Sequence, residues 1–213
     1  MIIHQVFWNF HINGGKELVE IDVFRENTDE TKRFCEEYGL TYKMWGLREC
    51  EELICDKYPE YLCLWEEFRF PIQKCDFIRY LILYEYGGWY VDCDVHPIKD
   101  LSVWRDYTEC FACWSDDKSR KPYNAVMYSQ AKNPLMKTIM NECEKKTVEK
   151  QSMKIYEKWK GRLVFQTTGH FMLNKVVPKS SLYEIMMIDN PKKGISVCAD
   201  IPYFYDQNVS FWF

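Results

Sequence analysis

One block, residues 74–95, constrains the fold of this chain more than any other part of its sequence. Residues 74–86 are mostly apolar, a Gly-Gly pair follows, and residues 89–95 then form a short aromatic and aliphatic run. The apolar positions of the first part cover most of a helix surface, and paired glycines are typical of a helix end. The block therefore predicts a buried helix that folds back directly into a buried strand.

Two carboxylates interrupt that strand. Asp92 and Asp94 stand at i and i+2, so an extended strand would place them on one face, with Cα atoms ~6.6 Å apart. A buried strand should not end in two carboxylates unless something compensates their desolvation. Hard oxygen ligands suit Mg²⁺ or Mn²⁺, which keep several waters and complete their shell with substrate phosphates. We favour a metal site over a solvated turn.

Strands and helices are expected to alternate along the rest of the chain. The patterns predict strands over 2–8, 40–45, 108–114, 124–129, 194–198 and 201–205, and helices over 28–38, 47–70 and 133–150, with Pro59 and Pro71 as breaks. They also predict a helix start at residues 167–170 within the segment 164–176. Such alternation implies an α/β domain with a mainly parallel sheet, which binds its ligand at the carboxyl ends of the strands.

Composition bears on partners and compartment. The 28 Lys and Arg against 32 Asp and Glu argue against a nonspecific nucleic-acid or membrane binder. No run of about 18 apolar residues and no signal peptide is visible, so we expect no integral membrane segment and a cytoplasmic protein. Ten scattered cysteines are then most simply free thiols, and Cys110 and Cys113, despite their spacing, lack further zinc ligands.

Asp76 and Arg79 stand one helical turn apart within the apolar helix. One interpretation is an i,i+3 ion pair, which contributes little if it is exposed. The other is that the glycine turn brings both groups to the cleft beside Asp92, where Arg79 would meet phosphate and Asp76 a sugar or ribose hydroxyl. His4 is interpreted as a core histidine, and His96, beside the carboxylates, as a possible neighbour of a metal.

The block from Asp76 to Asp94 resembles the DXD-containing sugar-binding region of glycosyltransferase family 32, whose core pattern also occurs in the large clostridial glucosylating toxins. The aspartate, the arginine, the two glycines and the DXD fall at the family's spacing. Further similarities span nearly the whole chain, at Ile3–Trp8, Asn124-Ala-Val-Met, Thr167-Thr168-Gly169 and Ser210-Phe211-Trp212.

The resemblance implies a GT-A fold, that is, one Rossmann-like domain over residues 1–213, alone or as the first domain of a longer chain. It also implies a metal-dependent transferase that moves a hexose or deoxyhexose from a UDP-sugar to a glycan or protein-linked acceptor, with retention of configuration. A bacterial capsule enzyme or a glycosyltransferase of a large DNA virus, such as a chlorella virus, would fit; a viral enzyme would work in the host cytoplasm.

The family's roles carry over residue by residue. They imply catalytic roles for Asp76, Arg79 and Asp94, and a Mn²⁺ or Mg²⁺ site at Asp92 and Asp94. No histidine follows His170, which leaves Asp206 or Asn208 as candidates for the third ligand, with water as the alternative. The residues expected to bind the nucleotide-sugar are Val6, Phe7, Trp8, Trp45, Asp76, Arg79, Asp92, Asn124, Ser210 and Trp212.

Two other functions remain open from the residues alone. A haloacid-dehalogenase-like phosphatase or phosphotransferase also ends an apolar strand in DxD and binds Mg²⁺, but His96 stands where that family has Thr or Val. A non-catalytic domain that binds a sugar nucleotide would keep the cleft without turnover.

Overall fold

Strands and helices alternate along the chain, as the sequence predicts. The computed structural model describes residues 1–8, 22–114, 120–190, 195–197 and 202–206. The helices are α1 Asp22–Glu37, α2 Leu47–Lys57, α3 Leu62–Glu67, α4 Pro71–Tyr86, α5 Pro134–Lys150, α6 Lys160–Thr167 and α7 His170–Val176. The strands are β1 Ile2–Val6, β2 Thr41–Trp45, β3 Gly88–Val91, β4 Val95–Pro97, β5 Glu109–Trp114, β6 Lys121–Ser129, β7 Leu182–Tyr183, β8 Met186–Asn190, β9 Ile195–Val197 and β10 Phe204–Asp206.

Six strands form the central sheet, in the order β2-β1-β3-β6-β5-β7. The pairs β1–β2, β1–β3 and β5–β7 are parallel, whereas β3–β6 and β5–β6 are antiparallel. A second sheet has the order β4-β10-β8-β9. The expected α/β class, a mainly parallel central sheet with flanking helices, is confirmed.

The two faces of the central sheet bury different cores because successive side chains of a strand point to opposite sides. Tyr90 lies in the core that contains the buried side chains of α4 and α5. Its neighbours Trp89 and Val91 lie in the other core, with Phe34 of α1. Strand β3 is thus covered on both sides, which explains its continuous apolar sequence.

Helix α4 is the buried helix that the sequence predicts, and it begins three residues earlier than expected. Pro71 occupies its first turn, where a missing N–H costs nothing, and the Gln73 side chain accepts a hydrogen bond from the Phe70 N–H at 3.1 Å. Pro71 therefore starts the helix as well as ending the preceding segment.

The Gly-Gly pair joins α4 to β3 in a conformation that other residues rarely adopt. Gly87 has φ +65° and Gly88 has φ +92°. A Cβ atom at Gly88 would lie 2.5 Å from the carbonyl oxygen of Ile2, and one at Gly87 would lie 2.6 Å from the amide nitrogen of Ala131. Both glycines are needed for the turn to pass this close to its neighbours.

Several boundaries differ from the sequence-based expectation. Strand β1 ends at Val6 because the chain leaves the sheet there, and α1 begins at Asp22, six residues early. The helix start predicted at residues 167–170 is confirmed, since α7 begins at His170, but the sequence analysis did not predict α6, which precedes it and ends at Thr167. Thr168 caps the end of α6, where its N–H still donates to Val164 O at 2.9 Å.

Candidate active site

The DXD motif lies in a tight turn at the carboxyl end of β3. The Asp92 N–H donates to Ala125 O at 2.8 Å, and the Val95 N–H then donates back to Asp92 O at 3.0 Å. The expectation that Asp92 and Asp94 share one face of an extended strand is therefore wrong, because the chain reverses between Asp92 and Val95. Both carboxyl-bearing residues are partly exposed in the same turn.

Strand β1 holds this turn from the side. The Gln5 side-chain amide donates to Asp92 O at 3.2 Å, and the Cys93 thiol lies 3.6 Å from Val6 O. Tyr42 in turn donates to the Gln5 side-chain oxygen at 2.9 Å. The carboxyl ends of β1 and β3 therefore meet at the DXD turn, as expected for neighbouring parallel strands.

Arg79 connects the buried helix to the turn. Its Nη1 lies 3.1 Å from Asp92 Oδ1 and donates to Asn124 O at 2.8 Å. Its Nη2 lies 3.2 Å from Asp76 Oδ1, and its Nε donates to Cys75 O at 3.2 Å. The hydrogen bonds and the two ion pairs therefore engage all three guanidinium nitrogens. The guanidinium also lies over the ring of Tyr90, 4.6 Å from its centroid.

Asp76 is held from three elements. Its Oδ1 accepts a hydrogen bond from Asn124 Nδ2 at 2.8 Å, and its Oδ2 accepts one from the Thr168 hydroxyl at 2.9 Å. The Tyr80 hydroxyl donates to Thr168 O at 2.7 Å and so fixes the residue that holds the carboxylate. Helix α4, strand β6 and the end of α6 thus converge on one side chain.

The site is buried and charged. The Asp76 and Arg79 side chains are 7% and 4% exposed, against 29% for Asp92. Burial raises the pKa of Asp76 to about 6, with the Arg79 charge and the Thr168 hydroxyl opposing the rise. Burial also raises the pKa of Asp92, and Arg79 again opposes it. The three donors around Asp76, from Arg79, Asn124 and Thr168, favour its carboxylate form.

The donor set suits a hydrated divalent ion. Two carboxylates in one partly exposed turn leave most of the coordination shell to water and phosphate, which is how Mg²⁺ is commonly held. Within residues 1–8, 22–114, 120–190, 195–197 and 202–206, no group of three or more His, Cys, Asp or Glu side chains converges as a metal cage. The residues present therefore fit an ion that shares its shell with a ligand.

The structure describes only one of the two residues expected as a third metal ligand. Strand β10 pairs with β4 so that the backbone of Asp206 lies opposite Val95, one residue from Asp94. This register supports Asp206 as a neighbour of the turn, whereas Asn208 lies outside the described residues. The His96 ring nitrogen Nδ1 contacts Asn27 Oδ1 at 2.5 Å, and the ring packs 5.4 Å from that of Tyr205.

Four of the residues expected to bind the nucleotide-sugar, Val6, Phe7, Trp8 and Trp45, do not all make contacts in the same place. Val6 is the last residue of β1, Phe7 and Trp8 follow it beside the DXD turn, and Phe7 packs edge-on against Phe24 at 5.9 Å. Trp45 instead donates its indole N–H to His4 Nδ1 at 3.1 Å and packs 5.4 Å from Tyr86 at the far end of α4. The Trp45 ring therefore packs away from the Asp92 cluster, although its carbonyl oxygen accepts from the Phe7 N–H at 3.0 Å.

The structure describes some of the other residues that the sequence analysis named, but not all of them. Asn124 joins the site through both its side chain and its carbonyl group. Ser210 and Trp212 lie outside the described residues, so their roles stay predictions. His4 is fully buried between Gly87 O and the Trp45 indole, as expected of a core histidine.

Sequence reasoning missed three residues of the cluster. The Tyr90 hydroxyl donates to Asp92 Oδ1 at 2.7 Å, and a tyrosine two positions before a strand-end carboxylate was the available indication. Gln5 was a polar residue inside an apolar strand. Thr168 was noted only as a weak family similarity, because nothing local connects it to Asp76, 92 residues away.

Comparison with known proteins finds that parts of this chain are similar in sequence to glycosyltransferases. Residues 24–112 match the family model described as a glycosyltransferase sugar-binding region containing a DXD motif. A stretch of 71 residues is 37% identical to mannosyl phosphorylinositol ceramide synthase SUR1 of Saccharomyces cerevisiae, covering 32% of this chain and 19% of that protein. A stretch of 102 residues is 31% identical to an uncharacterized glycosyltransferase, L373, of Acanthamoeba polyphaga mimivirus, covering 47% of this chain and 37% of that protein.

These alignments span well under two thirds of either relative. Among solved structures, the chain is similar to a glycosyltransferase involved in the glycosylation of the major capsid of PBCV-1, with a TM-score of 0.46 at 10% identity. That superposition covers 98% of this chain and 94% of the other.

Proposed function

We propose that the chain is a metal-dependent glycosyltransferase, because its residues 24–112 match the family model described as a glycosyltransferase sugar-binding region containing a DXD motif. It moves a hexose or deoxyhexose from a UDP-sugar to a glycan or protein-linked acceptor. The bond between the sugar and the diphosphate breaks, an acceptor oxygen takes the sugar and loses its proton, and UDP leaves.

The observation that carries this proposal is the Arg79 bridge. One guanidinium contacts both the buried Asp76 and the first carboxylate of the DXD turn, at 3.2 and 3.1 Å. A surface ion pair would not recruit a second carboxylate and a backbone carbonyl in this way. The bridge fixes the turn relative to α4, so that the site needs little reorganisation when its ligand binds.

Roles follow from these contacts. Asp94 and the partly exposed Asp92 are the residues that would hold the ion, and a bound ion would supply positive charge against the leaving diphosphate. Arg79 holds Asp92 in place. Asp76 keeps Arg79 oriented, with Asn124 and Thr168 as the groups that position Asp76.

The identity of the sugar donor and the stereochemistry of the transfer have weaker support than the metal site. The yeast relative is named for adding mannose, which supports a hexose as the transferred sugar. UDP as the nucleotide, and retention of configuration, are proposed from the resemblance to the family. A cytoplasmic location is proposed as well, and the nine described cysteines, all free, fit a reducing compartment.

The experiment is a donor panel. UDP-, GDP-, CMP- and TDP-sugars are incubated with Mn²⁺, and release of the nucleotide and the anomeric configuration of the product are followed. We expect metal-dependent release from a UDP-hexose, lost in Asp94→Asn and retained in the matched control Asp56→Asn on the exposed surface of α2. Release of inorganic phosphate from simple phosphate esters would favour the phosphatase instead. Binding without turnover of any donor would favour the non-catalytic domain.

A further inference from the structure

The segment that links α5 to α6 has an unusual surface, which we call the basic segment (residues 148–162). Eleven large hydrophobic side chains are exposed among the described residues, and four of them lie in these fifteen positions. They are Val148 at 69% exposure, Met153 at 46%, Ile155 at 58% and Trp159 at 59%. Single exposed hydrophobic residues are ordinary, whereas four within fifteen consecutive positions are an unusual concentration of exposed apolar side chains.

The same segment concentrates positive charge. Its cations are Lys150, Lys154, Lys158, Lys160 and Arg162, against the two carboxylates Glu149 and Glu157, although the whole chain has a net charge of -4. None of these five cations forms an ion pair with a carboxylate in the part of the chain that the structure describes. Their charges are therefore available to an external anion.

The basic segment is anchored to the folded domain. The Tyr156 side chain is buried and its hydroxyl donates to Gln166 Oε1 at 2.7 Å, which ties the segment to α6. Helix α6 is anchored in turn by the buried Leu163 and Val164. Residues 157–162 line a shallow cavity of about 370 Å³, with Trp159 on its wall and three cations around it. The exposed side chains are thus presented on a folded surface.

We infer that the basic segment binds the surface of a membrane that contains anionic lipids. Lysines attract anionic headgroups, and exposed tryptophan and aliphatic side chains partition into the boundary between headgroups and acyl chains. A nucleic acid would use the cations but gain nothing from Val148, Met153 and Ile155. A protein interface is typically depleted in lysine at its centre.

This inference concerns attachment at the surface only. In the part of the chain that the structure describes, no helix is both long and apolar enough to cross a membrane. The α6 helix, eight residues or about 12 Å long, runs from the basic segment to Thr168, which holds Asp76. Binding would therefore place the candidate active site close to the lipid surface.

The test is co-sedimentation of the full chain with phosphatidylcholine vesicles that contain or lack phosphatidylserine. We expect binding only to the anionic vesicles, weakened by salt. The double variant Lys154→Gln/Lys158→Gln should bind about thirtyfold more weakly, because each surface lysine contributes substantially to the attraction. The matched control Lys32→Gln/Arg33→Gln removes the same charge from α1 and should bind like the parent chain.

A second measurement follows Trp159 itself. Brominated lipids should quench part of the tryptophan fluorescence, and Trp159→Phe should lose that part while its thermal unfolding stays unchanged. The inference is overturned if anionic vesicles bind no better than neutral ones, or if both variants behave like the parent. It is also overturned if the chain does not bind vesicles and the segment instead binds poly-U RNA or causes self-association. None of these readouts depends on transferase activity.

Discussion

At the scale of single residues, the buried pair Asp76 and Arg79 explains why an apolar helix tolerates two charges. Neither could be buried alone without a large desolvation cost, and each satisfies the other together with Asn124 and Thr168. The sequence predicts that both face one cleft with Asp92, and the contact between Arg79 and Asp92 agrees. It could not supply Thr168, since a contact across 92 residues leaves no local pattern.

Replacing Thr168 by valine tests this account of Asp76. The change keeps the shape of the side chain but removes the hydroxyl that donates to a buried carboxylate, so we expect a loss of about 1.5–3 kcal/mol in the free energy of unfolding. Affinity for the sugar donor should fall with it. Urea denaturation measures the first effect and calorimetric titration the second.

The matched control is Thr147→Val. Thr147 is also fully buried, but its hydroxyl has no hydrogen-bond partner among the described residues, so its removal should be neutral or slightly stabilising. Equal losses in the two variants would mean that Thr168 is an ordinary core residue.

His4 gives a pH dependence of stability. Burial lowers its pKa from 6.5 to about 4, since the neutral ring accepts from Trp45 and donates to Gly87 O. Between these values the unfolded chain binds a proton that the native chain does not, so stability falls as the pH drops. From pH 7 to pH 5 the loss should be roughly 2 kcal/mol.

The control for this effect is His4→Gln, which cannot titrate. Its stability should change less over the same pH interval in urea denaturation, although its absolute stability is lower. If the parent and the variant lose the same free energy, other groups account for the acid sensitivity and His4 does not.

At the scale of elements, the unit of α4, the glycine pair and β3 was predictable because its pattern is strong and local. The DXD turn was not, since its two aspartates indicate a turn only weakly and the apolar residues 89–91 before them favour an extended strand. The short strand β7 likewise has too few residues for a periodicity. Tertiary hydrogen bonds, which the sequence does not reveal, determine the conformation of both the DXD turn and β7.

Gly88→Ala tests the close approach of the glycine turn to β1. The positive φ alone costs roughly 1 kcal/mol, and the contact of a Cβ with the Ile2 backbone adds to it, so we expect a loss of about 3 kcal/mol or more in the free energy of unfolding. Gly39→Ala separates the two causes, because Gly39 has φ +62° with nothing within 4 Å of a Cβ. Similar losses in both variants would show that the approach to β1 contributes nothing.

At the scale of the whole molecule, the net charge of -4 is a poor guide to partners. On that average the sequence argues against membrane binding, yet the structure gathers unpaired cations and exposed hydrophobic side chains on residues 148–162. An average over 213 residues cannot describe such segregation, because it depends on which side chains folding leaves exposed. The α/β class and the location of the candidate site at the strand ends, by contrast, followed from alternation alone.

The most direct test of the central claim measures whether metal and donor bind together through the DXD turn. The thermal unfolding of the parent chain, Asp94→Asn and the surface control Asp56→Asn is followed with Mn²⁺, with a UDP-sugar, and with both. We predict that only the combination stabilises the parent and the control, by about 2.7 kcal/mol at one hundred times the Kd, and that Asp94→Asn does not respond. An Asp94→Asn protein that is stabilised like the parent would contradict the account.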